Sequence, residues 1–114
     1  MIEVLGEHGY IGLRSPGSKT PIDVVGLRRD GILLIQCKRS VAGLGLDEWN
    51  ALAELAFAIN AIPLVASQPL GTRDQLRFHR ILRARQAYER RGPATWEPWV
   101  LTDLHQGELF AGHS

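Results

Sequence analysis

The sequence predicts an α/β protein in which helices flank a central mixed β-sheet. Its regular stretches follow the order α-β-β-β-α-β, with further strand after that, and this order is typical of such a sheet. The second and third strands are apolar runs joined by "RRDG", in which Asp30-Gly31 is a strong signal for a tight turn. A chain of 114 residues is long enough for one domain with one core.

Two short elements begin the chain. "MIEVLGEHG" is predicted to form a short amphipathic helix, because Ile2 and Leu5 are spaced for one face and Gly9 marks its end. "YIGLRS" is predicted to be the first strand, and a Ser-Pro-Gly-Ser loop follows it. The loop therefore connects the first strand to the hairpin.

The hairpin consists of "IDVVGL" and "ILLIQCK", both rich in residues that favour strands. If Asp30 and Gly31 are the central residues of a type I′ turn, the register of the whole hairpin follows by counting outward. The pairs predicted in this register are Arg29 with Ile32, Val25 with Gln36, and Asp23 with Lys38.

The second half of the chain alternates helix and strand. "LDEWNALAELAFAIN" is predicted to be a helix that begins at Leu46 or Asp47 and ends near Asn60, and "IPLVAS" a buried strand. "GTRDQLRFHRILRAR" starts as a strand because Leu76 and Phe78 alternate with polar neighbours, and "TWEPWVLT" closes the sheet. We expect a single domain over 1–114, with a core at about 2–102 and a C-terminal tail at about 103–114.

Composition excludes several classes of protein. The chain has no apolar run long enough to span a membrane, and its first residues carry acids where a signal peptide has bases. The lone Cys37 forms no internal disulfide and no multi-cysteine zinc site. We expect a cytoplasmic protein, in the host cytoplasm if the chain is phage-encoded.

Basic residues are segregated along the chain. All 13 Lys and Arg lie in two windows, 14–39 and 73–91, which together contain only four of the 12 acids. Segregation of this kind favours a basic face that binds a polyanion, whereas the plainer interpretation is solvated surface charge.

The loop "GLRSPGSKTP" has the glycine spacing of a phosphate-binding loop. However, Ser18 intervenes before Lys19, and the loop leads into Pro21 and a strand, whereas a nucleotide-binding loop opens a helix. We therefore expect no nucleotide cofactor.

The predicted hairpin brings an acid, an amide and an ammonium together. Paired residues and i, i+2 neighbours share a face, so Asp23, Gln36 and Lys38 converge at the open end. One interpretation is a structural ion pair between Asp23 and Lys38, with Gln36 at the exit of its strand from the core. The other is a site in which two oxygens hold a hard divalent cation and the ammonium orients a water.

"PID" followed by "QCK" resembles the PD-(D/E)xK nuclease motif, and "EHGYIGLRSPGSKTPIDVV", "GILLIQCKRS" and "AIPLVAS" together resemble the archaeal-type Holliday junction resolvases over residues 2–80. The resemblance implies a restriction-endonuclease-like core in which Asp23 and Gln36 are metal ligands and Lys38 is the catalytic lysine. It also implies that the Cys37 main-chain carbonyl completes the metal shell and that Ser18 lies near the scissile phosphate. The DNA-binding candidates are Arg14, Lys19, Arg39 and Arg77.

The chain departs from the resolvase pattern at two points. Position 36 is Gln rather than Glu, as in Mrr-type restriction endonucleases, and the acid that the family carries on its first helix aligns before Met1. Glu3 and Glu7 are the local substitutes for that acid, or plain surface acids.

The helix over 46–60 is apolar on more than one side. Every residue from Leu55 to Ile59 is apolar, although a helix on a sheet needs one apolar stripe. The resemblance implies a homodimer through this helix, with Leu55 and Ile59 at the interface. The alternative is that the C-terminal segment covers the helix within one monomer.

Together these observations predict a Mg²⁺-dependent endonuclease, with Mn²⁺ as a substitute, that resolves four-way DNA junctions. Two alternatives stay open, an Mrr-like or other repair nuclease and a branched-DNA-binding protein whose metal site has decayed. Cleavage of a four-way junction with and without the metal distinguishes them.

Overall fold

A six-stranded mixed β-sheet with two helices forms the protein. The computed structural model describes residues 1–15, 21–39, 43–68, 76–86 and 95–102. The helices are α1 (Ile2–Glu7) and α2 (Leu46–Ala58). The strands are β1 (Ile11–Arg14), β2 (Val24–Arg28), β3 (Gly31–Lys38), β4 (Ile62–Ser67), β5 (Arg77–Ile81) and β6 (Trp96–Trp99). The predicted α/β class and the order of its elements are confirmed.

The strands lie in the sheet in the order of the chain, β1 to β6. Neighbouring strands pair antiparallel except β3 and β4, which are parallel. A parallel pair needs a long crossover connection, and α2 provides it between β3 and β4. The helix therefore crosses the sheet from the end of β3 and returns beside it, which places the first turn of α2 close to the end of β3.

Helix α1 packs on one face of the sheet through Leu5, which is fully buried among Leu33, Ile35 and Leu64. The helix ends as predicted at Gly9, whose φ of +85° is a left-handed conformation that glycine adopts without strain. The side chains of Glu3 and Glu7 are on the exposed side of α1.

Helix α2 covers the opposite face. Its buried side chains are Trp49, Leu52, Ala53 and Ala56, which pack with a second group that includes Leu34, Val65 and Ile81. The helix ends at Ile59, and Asn60 follows in a left-handed conformation with φ of 56°, so the predicted end near Asn60 is confirmed.

The hairpin turn lies one residue earlier than predicted. Arg28 pairs with Gly31, so the central residues are Arg29 and Asp30. Neither has a positive φ, so the turn is not type I′. The predicted pairs were therefore wrong, since Leu27 is opposite Ile32 and Val25 opposite Leu34.

The physical reason is the side chain of Arg28. Its guanidinium donates to both carboxylate oxygens of Asp30, at 2.6 and 2.8 Å, and Nη1 donates to the carbonyl oxygens of His8 and Thr102. It also lies over the Tyr10 ring, 4.0 Å from the ring centroid. These contacts hold Asp30 in the turn and keep the pKa of its carboxyl below the usual value. The first cause is the hydrogen bond from Arg28.

The register moves by two positions, and this preserves the face on which each strand residue projects, because side chains alternate with a period of two. Leu34, Gln36 and Lys38 thus share the face that α2 covers. The segments 16–20 and 103–114 lie outside the described residues, and with them Ser18, Lys19 and the predicted tail. In the parts of the chain that the structure describes, no helix has the length and apolar character needed to cross a membrane.

Candidate metal and phosphate site at the open end of the hairpin

The carboxylate of Asp23 is anchored to the backbone of β3. The regular ladder ends at Val24 and Ile35, and beyond it the Asp23 N–H donates to the Ile35 carbonyl at 2.8 Å. The Asp23 Oδ2 accepts the N–H of Cys37 at 2.8 Å. Asp23 therefore lies beside Cys37 instead of opposite Lys38 as predicted. Cys37 is the residue between Gln36 and Lys38 on β3.

The backbone of Cys37 faces the same side as Asp23. The Lys38 carbonyl accepts the N–H of Gln68 at 3.3 Å, so the backbone of Lys38 faces β4. Backbone groups alternate in direction along a strand, while the N–H and C=O of one residue point the same way. The Cys37 carbonyl is therefore directed towards the Asp23 side. Its oxygen can act as a further metal ligand there, together with Asp23 and Gln36.

Gln36 has a buried amide oxygen with an unmet hydrogen-bonding capacity. The residue is 8% exposed, and within the described ranges Oε1 has no hydrogen-bond partner. Leaving such an atom buried and unpaired costs about 1–3 kcal/mol. A hard cation bound to amide, carboxylate and carbonyl oxygens removes this cost, and these are the oxygen types that Mg²⁺ accepts. The donor set of Asp23, Gln36 and Cys37 thus fits such an ion.

Lys38 pairs with a residue that the sequence did not indicate. Its Nζ lies 3.2 Å from Oε2 of Glu48, in the first turn of α2, and both side chains are partly exposed. An acid in the first turn of a helix is ordinary, because it is favourable near the positive end of the helix dipole. Nothing in the sequence therefore distinguished Glu48 from its neighbour Asp47.

The N-terminal end of α1 also lies near the site. The amino group of Met1 and the guanidinium of Arg14 both act to lower the pKa of the Cys37 thiol, so both groups are close to it. Among the described residues, no three carboxylate, thiol or imidazole groups lie close enough to hold a metal ion. Neither Glu3 nor Glu7 therefore forms such a cluster with Asp23.

Cys37, the free thiol near the end of β3, is exposed. The residue borders a cleft of about 290 Å³ with Met1, Lys38 and Gln68, because the core ends before β3 does. The pKa of the thiol is nevertheless raised, first by desolvation in this cleft and second by the Asp23 carboxylate. The thiol is therefore protonated at neutral pH.

A row of polar residues crosses the sheet from Lys38. Lys38 is opposite Ser67 on β4, and Ser67 is opposite Arg77 on β5. Two strand spacings put the Cα atoms of Lys38 and Arg77 about 10 Å apart. Ser67 Oγ is 3.0 Å from Nε2 of His79, and the pKa of His79 is lowered by burial first and by the charge of Arg77 second.

The remaining predicted DNA-binding residues surround this end of the sheet. Arg39 directly follows β3, Arg14 ends β1, and both are exposed, as is Arg77. Ser18 and Lys19 lie outside the described residues, but the Ser15 N–H before them donates to the Asp23 carbonyl at 2.9 Å. Ser15, the last described residue before them, therefore lies beside Asp23.

The surface of α2 carries the exposed apolar residues that its sequence indicated. Leu55 is 39% exposed, Phe57 47% and Ile59 48%, while Ala56 is buried against the sheet. Leu55 and Ile59 are four positions apart and lie on the same side of the helix, where they form the apolar patch of α2.

The mixed six-stranded sheet therefore carries an acid, an amide and a lysine at the open end of its hairpin. Among solved structures, the chain is similar to Archaeoglobus fulgidus Hjc, a Holliday junction resolvase from an archaeal hyperthermophile. The TM-score is 0.56, the sequence identity 24%, and the match covers 68% of this chain and 63% of that one. The resemblance drawn from the sequence motifs is thus confirmed as a shared fold. No protein-family model matches the chain, and no curated protein matches it significantly.

Proposed function

We propose that the protein is a metal-dependent, structure-selective endodeoxyribonuclease that cleaves four-way DNA junctions. The observation that carries this proposal is the Asp23 carboxylate, anchored at Cys37 beside the unpaired amide oxygen of Gln36. It lies on a fold shared with a Holliday junction resolvase. The reaction is hydrolysis of one phosphodiester bond by water, which leaves a 5′-phosphate and a 3′-hydroxyl.

Each residue of the site has a distinct part in this chemistry. Asp23, the amide oxygen of Gln36 and the Cys37 carbonyl would hold Mg²⁺, for which Mn²⁺ can substitute. Such an ion would lower the pKa of a water and neutralise charge on the phosphate. Lys38 orients the attacking water, and its ammonium also stabilises the charge that develops on the phosphoryl oxygens. By its resemblance to the loop serine of the resolvases, Ser18 would contact the scissile phosphate.

The substrate is held by its backbone phosphates. Arg14, Arg39 and Arg77 are exposed at the same end of the sheet as the site, and Lys19 follows Ser18 in the adjoining segment. Such contacts position DNA without reading its sequence. A homodimer through the apolar patch of α2 presents two sites, one for each of two strands of a branched substrate.

Gln36 favours a second candidate function, since the site has one negative charge fewer than a site with Glu at this position. An Mrr-like nuclease acts on other DNA with the same residues, and a decayed site binds branched DNA without cutting it. The first is distinguished from the main proposal by the substrate that is cleaved, and the second by the absence of cleavage.

The experiment compares a synthetic four-way junction with a linear duplex of the same sequence, in Mg²⁺, Mn²⁺ or EDTA. We expect cleavage of the junction only when a metal is present. Asp23→Asn should abolish cleavage while junction binding is retained or tightened, because Asn can still accept the Cys37 N–H but no longer repels phosphate. Lys38→Ala should also abolish cleavage, and Glu97→Gln, an exposed acid on β6, is the control for both.

The outcomes separate the candidates. Cleavage by both Asp23→Asn and Lys38→Ala at the wild-type rate means that the hairpin end is not the active site. Equal cleavage of junction and duplex favours the Mrr-like alternative. Binding of the junction without cleavage in either metal favours the DNA-binding alternative.

A further inference from the structure

The open end of the hairpin has one negative charge fewer than it would have with Glu at position 36, and a residue of α2 can supply that charge. Asp23 and Lys38 carry opposite charges, and Gln36 is neutral, so these three side chains sum to zero at neutral pH. With Glu in place of Gln36 the sum is −1, which favours a divalent cation. Glu48 lies 3.2 Å from Lys38 Nζ and returns the sum to −1.

The position of Glu48 is not explained by fold stability. The Lys38 side chain is 29% exposed and the Glu48 side chain 45%, and an ion pair exposed to this degree contributes little. Asp47 lies in the same first turn and interacts equally favourably with the helix dipole. Glu48 is the acid of that turn which is paired with Lys38.

A second observation points to a ligand at the same place. The buried, unpaired Oε1 belongs to Gln36, two residues before Lys38 on β3 and on the same face of the sheet. This face is the one that α2 covers, so Gln36, Lys38 and Glu48 lie on the same side of the sheet. The Asp23 carboxylate is anchored at Cys37, the residue between Gln36 and Lys38. The amide can coordinate a cation but supplies no charge to attract it.

We propose that Glu48 is the second acidic group of the site and takes over the electrostatic role of the carboxylate that Gln36 lacks. In the protein without cation it holds Lys38 by an ion pair. When a divalent cation is bound, its negative charge stabilises the ion next to the Asp23 carboxylate. This inference rests on the proposed metal-dependent function and names the group that makes the site work with Gln at position 36.

The test is calorimetric titration of the protein with Mn²⁺, without DNA. We expect Glu48→Gln to weaken Mn²⁺ binding by about tenfold, because a nearby negative charge is removed. Asp47→Asn removes one charge from the same helical turn and should change the affinity less than about twofold. The double variant Gln36→Glu/Glu48→Gln moves the charge from the helix to the strand, and it should restore binding to at least the wild-type affinity.

Thermal unfolding of each variant, followed by circular dichroism, confirms that the fold is retained. Equal Mn²⁺ affinity of the wild type and Glu48→Gln overturns the inference, and leaves the proposed function intact. Equal weakening by Glu48→Gln and Asp47→Asn also overturns it, because the effect is then general electrostatics of the helix end. Absence of Mn²⁺ binding by the wild-type protein overturns the metal-dependent function and this inference with it.

Discussion

Replacing Gln36 by Glu tests the buried amide most directly, because it adds a charge at a position that is only 8% exposed. Without a cation, the new carboxylate is buried without a partner. The wild-type amide oxygen is already unpaired, and burying a charged group costs more than burying a neutral one. We therefore expect the free energy of unfolding to fall by at least about 1–3 kcal/mol in EDTA.

A bound cation should reverse this loss. Binding to the folded state at 100 times the dissociation constant adds about 2.7 kcal/mol to the free energy of unfolding. In saturating Mn²⁺ the Gln36→Glu variant should therefore regain most or all of the lost stability. Its increase in stability should exceed that of the wild type at the same Mn²⁺ concentration, because its site has one more negative charge.

Urea unfolding followed by tryptophan fluorescence, with EDTA or Mn²⁺, measures both effects. Gln86→Glu makes the same chemical change at an exposed position and should lose less than about 0.5 kcal/mol in EDTA. The reasoning is refuted if Gln36→Glu loses stability in EDTA and Mn²⁺ restores none of it, because the position then lies outside any metal site. In the same variant, junction cleavage should reach half its maximal rate at a lower Mg²⁺ concentration than in the wild type.

Three further predictions concern DNA binding, assembly and pH. Junction affinity should fall by about 10³-fold or more between 50 and 200 mM salt, measured by fluorescence anisotropy, because the basic residues release counterions from phosphates; a flat salt profile contradicts the basic face. The wild-type protein should sediment at twice the monomer mass, and Leu55→Glu or Ile59→Glu should shift it towards monomer, whereas Val100→Glu, at an exposed apolar residue outside α2, should not. Because the folded pKa of His79 is lowered, the unfolded state binds more protons near pH 6, so the free energy of unfolding should fall as the pH drops below about 6.5. His79→Gln should flatten this dependence in urea titrations at pH 5.5 and 7.5, and an unchanged slope argues against His79 as its source.

Local patterns in the sequence predicted the order of the elements and the limits of the most regular ones. Helix α2 and strand β4 begin and end where the apolar periodicity indicates, because a helix stripe and a buried strand are local patterns. The position of Asp23 beside the end of β3 was also predictable, although the predicted turn was wrong. A shift of two positions in register conserves the face of every paired side chain, whereas a shift of one would have reversed it.

The position of the hairpin turn and the surroundings of its open end depend on contacts between distant parts of the chain. The turn is set by Arg28, whose contacts with His8 and Thr102 join segments far apart in the chain. The exposure of Cys37 depends on where the core ends, and the contact of Glu48 with Lys38 depends on how α2 crosses the sheet. Local patterns record the propensity and periodicity of neighbouring residues, whereas these features arise from contacts between distant segments, and no spacing within a single element encodes them.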